Sequence, residues 1–92
     1  MIRSFRNEET RRVFHGLRSR AFPPDVQQRA RRKLEQLDGA TNVDDLRNPP
    51  GNRLEALRGD RAGQWSIRIN DQWRVCFTWD DGPRNVEIAD YH

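Results

Sequence analysis

Cysteine occurs once in these 92 residues, at Cys76, which excludes an internal disulfide. Histidine occurs twice, at His15 and His92, too far apart in sequence to offer metal-ligand spacing. No metal site and no cofactor is therefore expected. Apolar residues make up 34% of the chain, and no apolar run approaches the length of a signal peptide or a membrane span. The expected setting is a reducing cytoplasm, away from any membrane. Repeats and low-complexity segments are also missing. At this length the chain buries roughly 60% or slightly more of its unfolded surface, enough for one modest core and one domain spanning residues 1–92. With so few aliphatic residues, order has to come from a compact sheet carrying the three tryptophans and four phenylalanines.

Lysine is nearly absent too. Of the 17 cationic residues only Lys33 is lysine, and the rest are arginine. A guanidinium is the side chain suited to paired contacts with phosphate and to stacking on a base. The distribution is uneven: residues 1–33 carry ten basic and three acidic side chains, a net +7, whereas residues 34–92 carry seven and eleven, a net −4. Basic helices are thus expected beside a more balanced sheet.

The last third alternates strictly. Trp65, Ile67 and Ile69 fall on one side of a strand over residues 64–70, and Trp73, Val75, Phe77 and Trp79 on one side of a second over residues 72–79. Ser66 and Arg68, then Arg74, Cys76 and Thr78, fall on the other. Asn70 and Asp71 tolerate positive φ and predict a hairpin. Asp80-Asp81-Gly82-Pro83 is turn chemistry, and a third strand is expected over residues 85–91, with Val86 and Ile88 apolar. Cys76 falls on the arginine side, where a reactive thiol is one reading and a small half-buried filler the favoured one.

Earlier in the chain, residues 2–5 form a short edge strand. Asn7 caps a first helix with Glu8 and Glu9 in its opening turn, and its buried stripe is Val13, Phe14 and Leu17. Pro24 opens a second helix whose stripe, Val26, Ala30, Leu34 and Leu37, has helical spacing until Gly39; Arg29, Arg31 and Arg32 lie on its outer face. Pro49-Pro50-Gly51 is a turn, residues 52–57 are expected as a strand burying Leu54 and Leu57, and residues 59–63 close a hairpin. The order strand, helix, helix and then at least four strands predicts an α+β fold: two helices on one face of a mostly antiparallel sheet of four to five strands.

The sheet face left uncovered gathers Arg68 and Arg74, with Arg58 near the rim and Tyr91 and His92 beside them. Arginines that hold phosphates next to an aromatic plane suit single-stranded nucleic acid. Chemistry on RNA needs little more, because the ribose 2′-hydroxyl attacks its own phosphate once a base, an acid and a cation are in place. Histidine is the side chain whose unperturbed pKa lies near neutrality, which makes His92 the proton shuttle of choice; Arg74 meets the transition-state charge. Asp90 orients His92, accepts the hydroxyl proton, or closes the last strand with a salt bridge. The plainer alternatives are that His92 is a solvated end, Tyr91 a packing residue, and Arg68 and Arg74 cross-strand partners of Glu55 or Glu87. His15 is assigned no role.

The whole chain nevertheless resembles one family. Pro49-Pro50-Gly51-Asn52-Arg53-Leu54-Glu55-Ala56-Leu57, the run from Gly59 through Gln64-Trp65-Ser66-Ile67-Arg68-Ile69-Asn70-Asp71-Gln72-Trp73-Arg74-Val75-Cys76-Phe77, the closing Asp90-Tyr91-His92 and the opening Met1-Ile2-Arg3-Ser4-Phe5 are similar to the HigB toxins of the RelE/ParE superfamily. The resemblance implies a RelE-like fold and a bacterial type II toxin paired with a HigA-type helix-turn-helix antitoxin. It implies a ribosome-dependent mRNA endonuclease that enters the ribosomal A site, cleaves the codon there and stops translation. Ribosomal RNA and mRNA are then its partners, and operator DNA is reached only through the antitoxin complex. By position, Asp90, Tyr91 and His92 match the family's functional triplet and Arg74 its phosphate-facing arginine. Arg58 matches a basic residue that is lysine in some members. Certain members have histidine where Glu55 stands, so Glu55 either takes the role of base or has none in catalysis. The competing reading is a non-catalytic toxin of the same fold that binds a protein target such as gyrase, or a corepressor acting with its antitoxin.

Overall fold

The computed structural model describes residues 1–90, so the expectations for Tyr91 and His92 lie outside the described residues. Helix α1, Glu8–Phe14, begins where the Asn7 side-chain oxygen accepts the Thr10 N–H at 2.9 Å. It ends in a paired return of the chain: Gly16, at φ +76°, donates its N–H to Val13 O at 3.0 Å, and Leu17 donates to Arg12 O at 2.8 Å. That turn corrects the expected stripe. Leu17 lies beyond the helix and is 51% exposed, whereas Thr10 and Val13 are buried. Helix α2, Pro24–Gly39, buries Val26, Ala30, Leu34 and Leu37 as its spacing predicts.

Four strands follow in the order β1-β2-β3-β4, every neighbour antiparallel: β1 Glu55–Ala56, β2 Trp65–Arg68, β3 Trp73–Trp79 and β4 Pro83–Asp90. The expected hairpin joins β2 to β3, by a different device. Asn70 and Asp71 are not at positive φ; the Asn70 side-chain oxygen instead accepts the N–H groups of Gln72 and Trp73, at 2.9 and 2.7 Å. Strand β4 begins two residues before the expected strand, and Asn85, at φ +52°, sits where the β3–β4 register slips. Residues 2–5 run alongside β4, parallel to it, through Arg3 N–H to Pro83 O, Val86 N–H to Ser4 O and Arg6 N–H to Val86 O; only Phe5 forms a bridge, with Val86.

The strand expected over residues 52–57 is corrected to a pair of residues. A 3-10 turn, Pro50–Asn52, and a left-handed Arg53 at φ +45° occupy its first half, leaving Glu55 and Ala56 to pair with Trp65 and Ser66. The reason is Asn52. Its fully buried amide donates to Leu46 O at 3.1 Å, Asn48 O at 3.3 Å and Gln36 Oε1 at 3.1 Å, while its oxygen accepts from Lys33 Nζ at 2.6 Å. Those four bonds hold a loop against α2 in place of a ladder.

The main core lies between the helices and the Trp65, Ile67, Val75 and Phe77 side of the sheet, where Leu34, Leu37, Leu46 and Val86 complete it. The Thr10 hydroxyl accepts the Ile88 N–H at 3.0 Å, which ties α1 to β4 inside that core. The architecture is therefore α+β, two helices against one face of a four-stranded antiparallel sheet.

Candidate active site

The second face of the sheet is less open than its alternation predicts. Ser66 and Cys76 have no exposed surface, and Cys76 packs with Leu57 and Ala89 in a small cluster of its own. The loop after β1 accounts for this. Arg61 donates to Gln64 Oε1 at 3.1 Å and stands 3.6 Å from Glu87 on β4, whose other oxygen meets Arg6 Nε at 3.0 Å. The middle of the face is thus closed by long side chains, and burial raises the Cys76 thiol pKa above its ordinary value. The cationic groups are left gathered toward the β2–β3 turn.

At that end Arg68 and Arg74 are directly opposite one another on β2 and β3. Each guanidinium is restrained by acceptors within the protein. Arg74 Nε donates to the Ser66 hydroxyl at 2.7 Å and Nη2 to the carbonyl of Arg53 at 2.8 Å, with Glu55 Oε1 3.6 Å away. Its side chain is 14% exposed, whereas its Glu55 partner is 51% exposed. Arg68 pairs with Asp71 and holds that carboxyl below the usual carboxylate range. Of the two expected partners for the arginines, Glu55 meets Arg74; Glu87 meets Arg6 and Arg61 instead.

Helix α2 adds cations that the sequence pattern did not assign to the site. The Lys33 pKa is lowered by burial first, and then by the charges of Arg29 and Arg68; Arg53 and Arg29 both act on Asp71. Arg29, Lys33, Arg53 and Arg68 therefore share one electrostatic environment, and Arg74 adjoins it as the strand partner of Arg68. The i, i+4 spacing of Arg29 and Lys33 put them on a common helical face, but only the fold shows that this face meets the β2–β3 hairpin. Nothing local to Arg53 signals its role, which depends on a main-chain carbonyl.

The remaining expected residues are more spread out. Glu55 and Arg58 line an open concavity of about 530 Å³ at the sheet edge, and Arg58 is exposed. Asp90 closes β4 opposite Trp73, one residue past the Arg74–Ala89 pair, and accepts from Gln72 Nε2 at 2.9 Å. Strand alternation puts it on the Trp73 side of the sheet, away from the Arg74 face. A separate groove of about 870 Å³ lies beside α1 and the start of α2, lined by Arg12, Arg18 and Arg20 with Ser19 and Gln27. Among the described residues no three His, Cys, Asp or Glu side chains are grouped to hold a metal ion, and no helix is long and apolar enough to cross a membrane.

The Arg74 end of the face has the components of phosphate recognition: a pre-set guanidinium, further cations around it and a carboxylate within reach. Comparison with known proteins gives the family. The family model described as the RelE-like toxin of type II toxin-antitoxin system HigB matches residues 3–92. Toxin HigB-1 of Vibrio cholerae is 49% identical over 75 residues, covering 82% of this chain and 79% of that protein. Endoribonuclease HigB of Proteus vulgaris is 31% identical over 93 residues, covering 100% of both. An uncharacterized protein of Haemophilus influenzae is 32% identical over 71 residues, covering 77% and 70%.

Proposed function

The chain belongs to the HigB-like family of RelE-like toxins of type II toxin-antitoxin systems, and on that premise we propose that it is an endoribonuclease that cuts mRNA in the ribosomal A site. The observation that carries the reading is Arg74: a guanidinium set in the sheet by Ser66 and the Arg53 carbonyl, on the strand position opposite Arg68. A cation fixed before substrate arrives stabilises the phosphorane-like charge without reorganising during the reaction. In the step proposed, a base takes the 2′-hydroxyl proton, the 2′-oxygen bonds to the adjacent phosphorus, and the P–O5′ bond breaks. An acid protonates the leaving 5′-oxygen, giving a 2′,3′-cyclic phosphate and a 5′-hydroxyl. The carboxylate of Glu55, 3.6 Å from Arg74, is assigned the first proton transfer; His92 is assigned the second, with Tyr91 stacking on the base and Asp90 orienting His92. Arg68 and Arg58 hold flanking phosphates.

The family implies an antitoxin partner. We assign it to the HigA helix-turn-helix type, with operator DNA bound through the complex alone, and place the toxin in the cytoplasm as one domain. The arginines of the α1–α2 groove suit ribosomal RNA phosphates, which agrees with the +7 charge of the first 33 residues. Primer extension on a defined mRNA, with and without ribosomes holding an empty A site, tests the reading beside a His92→Gln control. Cuts that need ribosomes and disappear in the variant are expected. Growth arrest in cells without any cut would turn the reading to a toxin that binds a protein target.

A further inference from the structure

The hydrogen bonds of Arg74 divide its guanidinium into two edges. The inner edge is spent on the protein: Nε on the Ser66 hydroxyl at 2.7 Å and one N–H of Nη2 on the Arg53 carbonyl at 2.8 Å. Among the described residues no hydrogen bond uses Nη1. The Nε–Nη2 side is therefore engaged by the protein, and the nitrogen left to a ligand is Nη1, at the end of the group. Glu55 approaches Nη2 at 3.6 Å.

We infer that Ser66 is a positioning residue for the cleavage reaction, fixing the rotation of the Arg74 guanidinium so that RNA phosphate meets it end-on. The inference rests on the proposed role of Arg74. Ser66 has no exposed surface, so its hydroxyl is removed from both solvent and substrate. It sits on β2 opposite Cys76, two residues from Arg68, the position across from Arg74, so the two side chains share one face of the sheet and its Oγ meets Arg74 Nε diagonally across the strand pair. The Arg53 carbonyl completes the grip, and that carbonyl is aimed by a left-handed residue whose predecessor, Asn52, is tied to α2 through Lys33. Two acceptors on adjacent nitrogens leave a planar group no free rotation about its last bonds. With Ser66 lost, the Arg53 carbonyl alone would still attract the charge but would no longer fix the plane.

Two measurements on the full chain test this. Nitrogen-15 relaxation and hydrogen exchange at Arg74 Nε–H should show an ordered, slowly exchanging group in the wild type, mobile and fast-exchanging in Ser66→Ala, and ordered again in Ser66→Thr, which keeps an Oγ. With programmed ribosomes, single-turnover cleavage should fall about tenfold in Ser66→Ala, the scale of one hydrogen bond to a charged group, while ribosome affinity changes less than twofold. Ser66→Thr should recover most of the rate. An Nε–H equally ordered in Ser66→Ala would overturn the inference, as would wild-type cleavage by Ser66→Ala when Arg74→Ala is inactive. Wild-type cleavage by Arg74→Ala sinks the role of Arg74 instead, and the Nε signal still reports whether Ser66 holds the guanidinium.

Discussion

The two faces of this sheet are made of the same four strands and solve different problems. On the helix side, Ile67, Val75, Phe77 and Val86 meet Leu34 and Leu37, and contact with any apolar shape of the right volume is enough to stabilise them. On the other side, Ser66, Arg74, Glu55 and Arg53 meet through individual hydrogen bonds and an ion pair, where a shift of an ångström breaks the contact. The apolar face supplies stability and tolerates variation in detail; the polar face supplies direction and tolerates very little. Lys33 and Asn52 are the joint between them, since they anchor the loop that aims the Arg53 carbonyl to a helix of the main core.

The comparison is broken most severely from the apolar side. Phe77→Ala removes a fully buried ring and should cost about 3–5 kcal/mol of stability, read by denaturant unfolding. Arg74→Ala should do the converse, leaving the unfolding midpoint close to the wild type while cleavage on programmed ribosomes drops by about 10²–10³, the usual effect of losing a transition-state charge donor. A large loss of stability in that variant would show that the polar face also holds the fold together.

Asn52→Leu addresses the joint. It leaves the Leu46 and Asn48 carbonyls and the Lys33 ammonium without their partner, and should destabilise by about 1–3 kcal/mol, with cleavage falling further than the folded fraction explains. If activity simply tracked the folded fraction, the loop would be scaffolding alone.

The smallest effect concerns Asp71. Arg68 holds its carboxyl below the usual value, so the pair's contribution is complete above the unfolded carboxylate pKa and is lost as pH falls through the lower folded one. Asp71→Asn should therefore differ slightly from the wild type in thermal unfolding at neutral pH and converge with it in acid. The side chain is fully exposed, and added salt should shrink the difference as well.

Legibility in the sequence follows the same division. Period two in residues 64–79 and the 26, 30, 34, 37 spacing of α2 located the apolar core, because burial is written in side-chain type and repeats at fixed intervals. The alternation also put Ser66, Arg68 and Arg74 on one face. It did not show that Arg61 would close that face by reaching Glu87, since a long side chain crossing strands leaves no periodic trace. Leu17 was misplaced because the Gly16 turn overrode an apolar spacing that continued past the helix. The strand expected over residues 52–57 failed for a related reason: the four bonds made by Asn52 outweighed the β pattern of its neighbours. Arg53 and Lys33 stayed hidden as parts of the site because one acts through its backbone and the other through a buried amide. The sequence left Glu55 and Glu87 as equal candidates to pair with the arginines, and the β1–β2–β3 register decides for Glu55 beside Arg74.

Arg68 and Arg74 face each other across two paired strands, an arrangement of like charges that disfavours the folded chain. Asp71 and Glu55 offset that repulsion in the free protein, both from exposed positions. A phosphate arriving between the arginines would relieve the same repulsion with a doubly accepting anion. Binding at this place and resistance to unfolding are then one equilibrium seen from two ends, so the melting temperature of the toxin should climb with the concentration of inorganic phosphate more steeply than with chloride at matched ionic strength.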